Sequence, residues 1–248
     1  MNKTIAGVTL AAALASLPVW AGPTEITQCQ TISQPGSYVL ANDIGSGQQS
    51  NCLVIAASSV TIDLAGFEIF GSRGTNAIVA GENTGIAVRN GSISVEDGQA
   101  IALGDGSIVE GLRITASRSF FPVISAKGIV RGNTVLGTAP GFPGGPGISA
   151  TGVITNNYVS GVVGDGIAVG AGSTVIGNTS VNNMEAGIRA DCPANRIPAV
   201  TIRPDAYSAA DCSRDEAGKS PPSGPARDGK DGQCPSRKGK STSQGPVG

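Results

Sequence analysis

Isoleucine and valine recur through the middle of this chain at one spacing, and that spacing restricts the fold more than any other feature. Ile69, Ile93, Ile114, Val135 and Val159 stand 21 to 24 residues apart, with Ser180–Val181 where a sixth member is due. A second series, Ile78, Ile101, Ile124, Ile148, Ile167 and Ile188, alternates with the first in settings such as AIAL, VISA, GISA and GIRA. A period of this size belongs to stacked units, none of which buries its apolar face alone. Between the apolar positions run short β-rich stretches broken by Gly, Asn or Asp turns, as in IALGDGSIVEGLRI and GIVRGNTV. No stretch sustains helical periodicity, so the expected fold is an all-β parallel β-helix of about six rungs, each a coil of two or three short strands.

A polar column supports the register. Two residues before Val135 and Val159 stand Asn133 and Asn157, and the next rung places Asn178 there, in GNTV, NNYV and GNTS. Rungs stack about 4.8 Å apart, so the three amides are expected to hydrogen-bond up and down as a structural ladder. Asparagine also tolerates the left-handed backbone of a sharp corner.

On these residues the chain resembles the right-handed parallel β-helix proteins of bacteria, the pectate-lyase-like superfold, and in particular small exported ones built from GIxV…GNTV rungs. The resemblance covers roughly Gln28 to Asn195, including ISQPGSYVLANDI and SSVTIDLAGFEI. It implies a single-stranded, right-handed solenoid. It says little about activity, because this architecture carries polysaccharide lyases, epimerases, tailspikes and adhesive or structural surface proteins.

The flanks read differently. Residues 1–21 have the pattern of a secretory signal: Lys3, an apolar run from Ile5 to Leu17, and Val19-Trp20-Ala21 as a cleavage site. A periplasmic or extracellular protein with no membrane span is expected. Export makes disulfides plausible. Cys29 and Cys52 lie one rung period apart and are expected to pair, Cys192 and Cys212 form a weaker candidate pair, and Cys234 is left over. Residues 22–53 form an N-terminal cap segment and 54–195 the β-helix. From 196 to 248 the periodicity vanishes, Pro198, Pro204, Pro221, Pro222, Pro225, Pro235 and Pro246 accumulate, and charges crowd together, so disorder is expected. No capping segment is legible, which leaves the last rung open to self-association.

Absences narrow the chemistry. Without histidine, a Ser-His-Asp triad, a His-paired cysteine and a histidine metal site are all excluded. A net charge of −1 does not suit a nucleic-acid binder. Lyases of the resembled superfold use carboxylates on one sheet to hold calcium against a uronate, with an Arg or Lys as base. Four residues before the first apolar column stand Arg89, Glu110 and Arg131, then Thr155. They form either an exposed ion-pair ladder or a stripe gripping an anionic chain, with Arg131 as the candidate base. One carboxylate between two arginines is no calcium site, since that ion takes 6–8 oxygens. No metal or cofactor is therefore expected outside the lyase alternative. Asp63, Glu68, Glu82, Glu185 and Asp191 are placed in other columns, and Asp105 and Asp165 in tight Gly-Asp-Gly turns.

The corner loops between the two apolar series offer a second surface. FGSRGTNA, SVEDGQA, TASRSFFPV, LGTAPGFPGGPG and SGVVGDG carry Arg73, Glu96, Asp97, Arg118, Phe120, Phe121 and Phe142. Exposed aromatic rings beside carboxylates suit sugar C–H faces and hydroxyls. The alternative is that the rings fold back over the sheet. The expected function is an exported, non-catalytic surface protein contacting polysaccharide through this row. The alternatives are a lyase or epimerase acting on uronate polymers and a structural module stacking end to end.

Overall fold

The computed structural model describes residues 22–47, 50–138 and 144–190 in full, and the backbone of 196–202 and 207–209. Residues 1–21, Phe142, Cys192, Cys212, Cys234 and the remainder of the tail lie outside the described residues.

Every described element is a strand, and every pairing between strands is parallel. The chain opens with β1 (Thr24–Ile26), β2 (Gln30–Ile32), β3 (Gly36–Leu40), β4 (Ile44–Gly45) and β5 (Asn51–Ile55). It continues through β6 (Val60–Asp63), β7 (Glu68–Phe70), β8 (Asn76–Val79) and β9 (Ala87–Glu96) into β10 (Ile101–Ser117). Then follow β11 (Ile124–Arg131), β12 (Thr134–Gly137), β13 (Ile148–Thr155), β14 (Tyr158–Ser160) and β15 (Ile167–Val169). Last come β16 (Thr174–Val181), β17 (Ala186–Ala190), β18 (Arg196–Ile202) and β19 (Tyr207–Ala209).

These strands wind into a solenoid of about seven turns with three faces. Face A stacks Ile44, Ile69, Ile93, Ile114, Val135, Val159 and Ser180 in direct register. Face C stacks Leu53, Ile78, Ile101, Ile124, Ile148, Ile167 and Ile188. The two recurring series in the sequence are these two columns. A third, on face B, runs Ile62, Val88, Val109, Val130, Ile154 and Val175. All three columns are buried and meet in one core. Each large aliphatic side chain withdrawn from water contributes roughly 1.5–3 kcal/mol, and stacking like on like fills the interior without a change of shape between turns.

Residues 22–53, the expected cap segment, carry β1 to β4 and the start of β5. β1 pairs with β3, and β2 with β5. At the far end β18 and β19 pair with β16 and β17, so parallel pairing runs past the boundary placed at Asn195. Cys29 and Cys52 form a disulfide with Cα atoms 4.5 Å apart, tying the residue before β2 to β5. Among the described residues no helix is long and apolar enough to cross a membrane.

The asparagine column lies inside the coil. Asn157 Oδ1 accepts from both the backbone N–H and the Nδ2 of Asn133, each at 3.0 Å, and Asn178 Oδ1 accepts the same pair from Asn157 at 2.9 Å. The same Nδ2 groups reach back to the carbonyls of Val109 and Val130. The left-handed corner, however, is not at these asparagines. It falls one residue earlier, at Gly132, Asn156 and Gly177, with φ of 62°, 56° and 65°. The ladder residues therefore satisfy buried donors, and their predecessors make the bend. A second, shorter amide contact, not visible in the sequence columns, has Asn76 Nδ2 donating to Asn51 Oδ1 while Asn76 Oδ1 accepts from the backbone N–H of Gln99.

Asn157→Ala should strand the Asn133 donors and the Val130 carbonyl, each worth about 1–3 kcal/mol when buried and unpaired. We expect about 3 kcal/mol of destabilisation by urea titration, against less than about 0.5 kcal/mol for the exterior Thr134→Ala; equal losses would show that the ladder has no special standing. Removing the Cys29–Cys52 bond, which closes a 23-residue separation, should cost about 3 kcal/mol. Hydrogen exchange should locate that loss in β1 to β5; a loss spread evenly over all turns would contradict the assignment.

Candidate functional site

The corner between faces A and C carries the loop row. Here the chain leaves β9 through Glu96 and Asp97 and leaves β10 through Arg118, and the stacking of turns sets these residues above one another. Gly74 donates to the Glu96 carbonyl at 2.8 Å, and Asp97 to the Ser117 carbonyl at 2.9 Å. Asp97 and Arg118 both occupy the left-handed region, with φ of 58° and 54°. Aspartate tolerates that conformation much as asparagine does, whereas for arginine it costs on the order of 1 kcal/mol, so the strain of this corner sits at Arg118.

Those side chains form a network. Arg73 Nε donates to Asp97 Oδ2 at 2.7 Å, Arg118 Nη2 pairs with Glu96 Oε1, and Arg118 Nε lies 4.0 Å from Asp97 Oδ1. Asp97 is the most sheltered member, 14% exposed against 73% for Arg73. Its hydrogen bond to Arg73, followed by the charges of Asp97 and Glu96, holds that guanidinium above the usual arginine value. The gain is present below the ordinary arginine value and is lost only as pH rises through the raised one. The charge on Arg73 thus persists at neutral pH, and salt rather than pH weakens the pair.

Phe120 and Phe121 do not fold back over the sheet. Their exposures are 56% and 57%, while the residues on either side of them are held by neighbouring turns. Ser119 Oγ donates to the Gly98 carbonyl in the turn before, at 2.9 Å, and Gly145 N–H donates to the Ser119 carbonyl from the turn after, at 3.0 Å. Gln99 Nε2 reaches the Pro122 carbonyl at 3.2 Å, and Val123 N–H reaches that of Pro146 at 3.0 Å. Two aromatic rings thus stand out from a pinned loop.

Shortly beyond Phe121, the outer side of face C opens into a groove of about 260 Å³. Ser125, Ser149 and Ala168 stack along its floor. Thr151, Lys127 and Arg189 also line it. Arg189 Nε is bound at 2.8 Å by Asp165, whose side chain is 4% exposed and also accepts from the Ala186 N–H. Asp165 is therefore a buried anchor and not merely a turn residue. Lys127 lies 3.6 Å from the exposed Asp105.

The polar ladder sits elsewhere, at the edge of face B next to the asparagine corner. Glu110 is in register with Arg89 on one side and Arg131 on the other. Arg131 Nε donates to Glu110 Oε2 at 2.6 Å, whereas Arg89 Nε donates to Asp63 Oδ2 at 3.1 Å. The ladder is two ion pairs in the order Asp63–Arg89–Glu110–Arg131. Asp63, placed in another column from the sequence, belongs to this one, because its rung is 26 residues from the next and breaks the 21-residue offset. Among the described residues no three acidic or cysteine side chains converge as metal ligands.

Sequence columns located the ladder and the loop row. They missed Asp63, the Asp165–Arg189 anchor and the groove floor, although Ser125 and Ser149 each follow an isoleucine of the face C series. No family model, curated protein or solved structure matches the chain.

Because Arg118 trades a left-handed φ against exposed ion pairs worth at most about 1 kcal/mol, Arg118→Gly should stay within about 1 kcal/mol of the parent in urea denaturation. Arg118→Ala, which keeps the strain and loses the pairs, should be about 1 kcal/mol less stable than the glycine variant. Equal stabilities for Ala and Gly would remove strain from the description of this corner.

Proposed function

We propose that this chain is an exported, non-catalytic surface protein that contacts carbohydrate through its loop row and the adjoining groove of face C. The observation that carries this reading is the pair Phe120 and Phe121: both rings face solvent, yet hydrogen bonds from two neighbouring turns hold Ser119, Pro122 and Val123 on either side of them. A loop already held on both sides loses less freedom when a sugar face covers its rings. Beside it, Glu96, Asp97, Arg73 and Arg118 offer acceptors and donors for hydroxyl groups. Ser125, Ser149 and Thr151 extend the polar surface along the groove. Export rests on the signal-like residues 1–21, and the Cys29–Cys52 disulfide suits an oxidising compartment.

The lyase alternative requires at least three carboxylates converging beside Arg89 or Arg131. Each arginine meets one, Asp63 or Glu110. Calcium held against a uronate needs a richer oxygen set than that.

Affinity electrophoresis through gels containing neutral and acidic polysaccharides tests the proposal. The parent should be retarded in at least one gel, and the double variant Phe120→Ala/Phe121→Ala should bind roughly ten-fold more weakly or worse with an unchanged melting temperature. Retardation untouched by the double variant would remove the loop row from the reading. In parallel, incubation with pectate and alginate should produce no ultraviolet absorbance of unsaturated uronate. A calcium-dependent rise abolished in Arg131→Ala would replace the binding function with a lyase.

A further inference from the structure

Face B carries a charge pattern that fits a copy of itself. Its outermost polar column reads Asp63, Arg89, Glu110, Arg131, alternating in sign at every turn. All four side chains reach solvent, with the arginines 44% and 57% exposed and the acids about a quarter. Two positions back along each strand, on the same outward side, stand Ala87, Ile108, Ile129 and Val153, in register with one another. None of the four is buried, and Val153 is 42% exposed. An apolar stripe thus runs beside an ionic one.

We propose that face B is an isologous interface at which two copies of this chain pack face to face. The two-fold axis lies in the interface, parallel to the strands, and passes between the Arg89 and Glu110 turns. That rotation reverses the order of turns and keeps each column opposite itself. An alternating column of even number reversed is its own complement: Asp63 meets Arg131 of the second copy, and Arg89 meets Glu110. Both copies share the same rise of about 4.8 Å per turn, so all four contacts fall into register together. The same rotation sets Ala87 against Ile108 at the axis, covering the middle of the apolar stripe. About six overlapping turns, each with about four residues in the strand, give a contact near the lower end of specific interfaces, roughly 1,000 Å² in total. The expected dimer is weak and salt-sensitive.

The test is a charge exchange read by sedimentation velocity on the full chain. The parent should move from monomer to dimer with rising concentration and return toward monomer in high salt. Arg89→Glu places two carboxylate pairs across the axis, each introduced acid facing Glu110 of the other copy, and Glu110→Arg places two pairs of guanidinium groups there. Each variant alone should dimerise about 100-fold more weakly or worse. Mixed together, the two variants form complementary pairs at both contacts, and the mixture should regain the dimer. That recovery also shows that both variants are folded. Should either variant fail to fold, Ile108→Lys at the middle of the apolar stripe takes its place, with the same weakening expected. A parent that stays monomeric at all concentrations overturns the proposal. So does a dimer indifferent to both substitutions, which would assign association to another surface such as the terminal turn. Two variants that weaken the dimer but do not recover on mixing would overturn the two-fold arrangement.

Discussion

The structure depends on in-register parallel pairing between successive turns. Each strand donates and accepts with the turns before and after it, so a residue sits directly beneath its counterpart one period later. Backbone hydrogen bonds fix the rise at about 4.8 Å, and everything else inherits it. Isoleucine stacks on isoleucine, amide on amide, corner on corner. Because side chains alternate between inside and outside, a slip of one residue would exchange the core for the surface over an entire face. The pairing is therefore specified by the columns it creates. Ile78 through Ile188 hold face C in register, while Asn133, Asn157 and Asn178 hold the corner between faces B and A.

This geometry explains what could be read from the sequence. A stacked column repeats the same residue class at the period of the coil, so the isoleucine and asparagine columns were legible from spacing alone. The face B column was not: its spacing is much like that of the other two, but Val88, Val109, Val130 and Ile154 each follow another apolar residue, Ala87, Ile108, Ile129 and Val153, so the inward member of each pair does not stand out. The period changes from 26 residues between Asp63 and Arg89 to 21 between Glu110 and Arg131. That change hid Asp63 from its own column. The N-terminal strands are hard to see in the sequence for a related reason: β1 to β5 are short and separated by unequal loops, and their parallel pairing appears only in space.

The loop row was legible in composition but not in conformation. Which way Phe120 and Phe121 turn is decided by bonds from other turns: Ser119 to Gly98, Gly145 to Ser119 and Gln99 to Pro122. No local propensity encodes these. The solenoid itself is uniform and rigid, and it displays variety only where the chain leaves one face for the next. Insertions there are tolerated because loop closure grows slowly with length. Chemistry on such a fold is then placed by corners, with neighbouring turns acting as the supporting shell.

The same rise constrains charge. Strands in one column stand about 4.8 Å apart, and like charges directly opposite one another are destabilising. A column relieves that repulsion by alternating in sign, by placing a bound cation between like charges, or by splaying them apart. Asp63, Arg89, Glu110 and Arg131 alternate. At the loop row, Asp97 is flanked by Arg73 in the turn before and Arg118 in the turn after. Both ionic surfaces are thus neutralised from within the chain, and neither presents the excess of negative charge that would draw a divalent cation. A neutral alternating column does not favour a uniformly charged polymer along its length either. Under the readings proposed above, the loops would meet neutral hydroxyl-rich partners and the flat face another column of the same alternation.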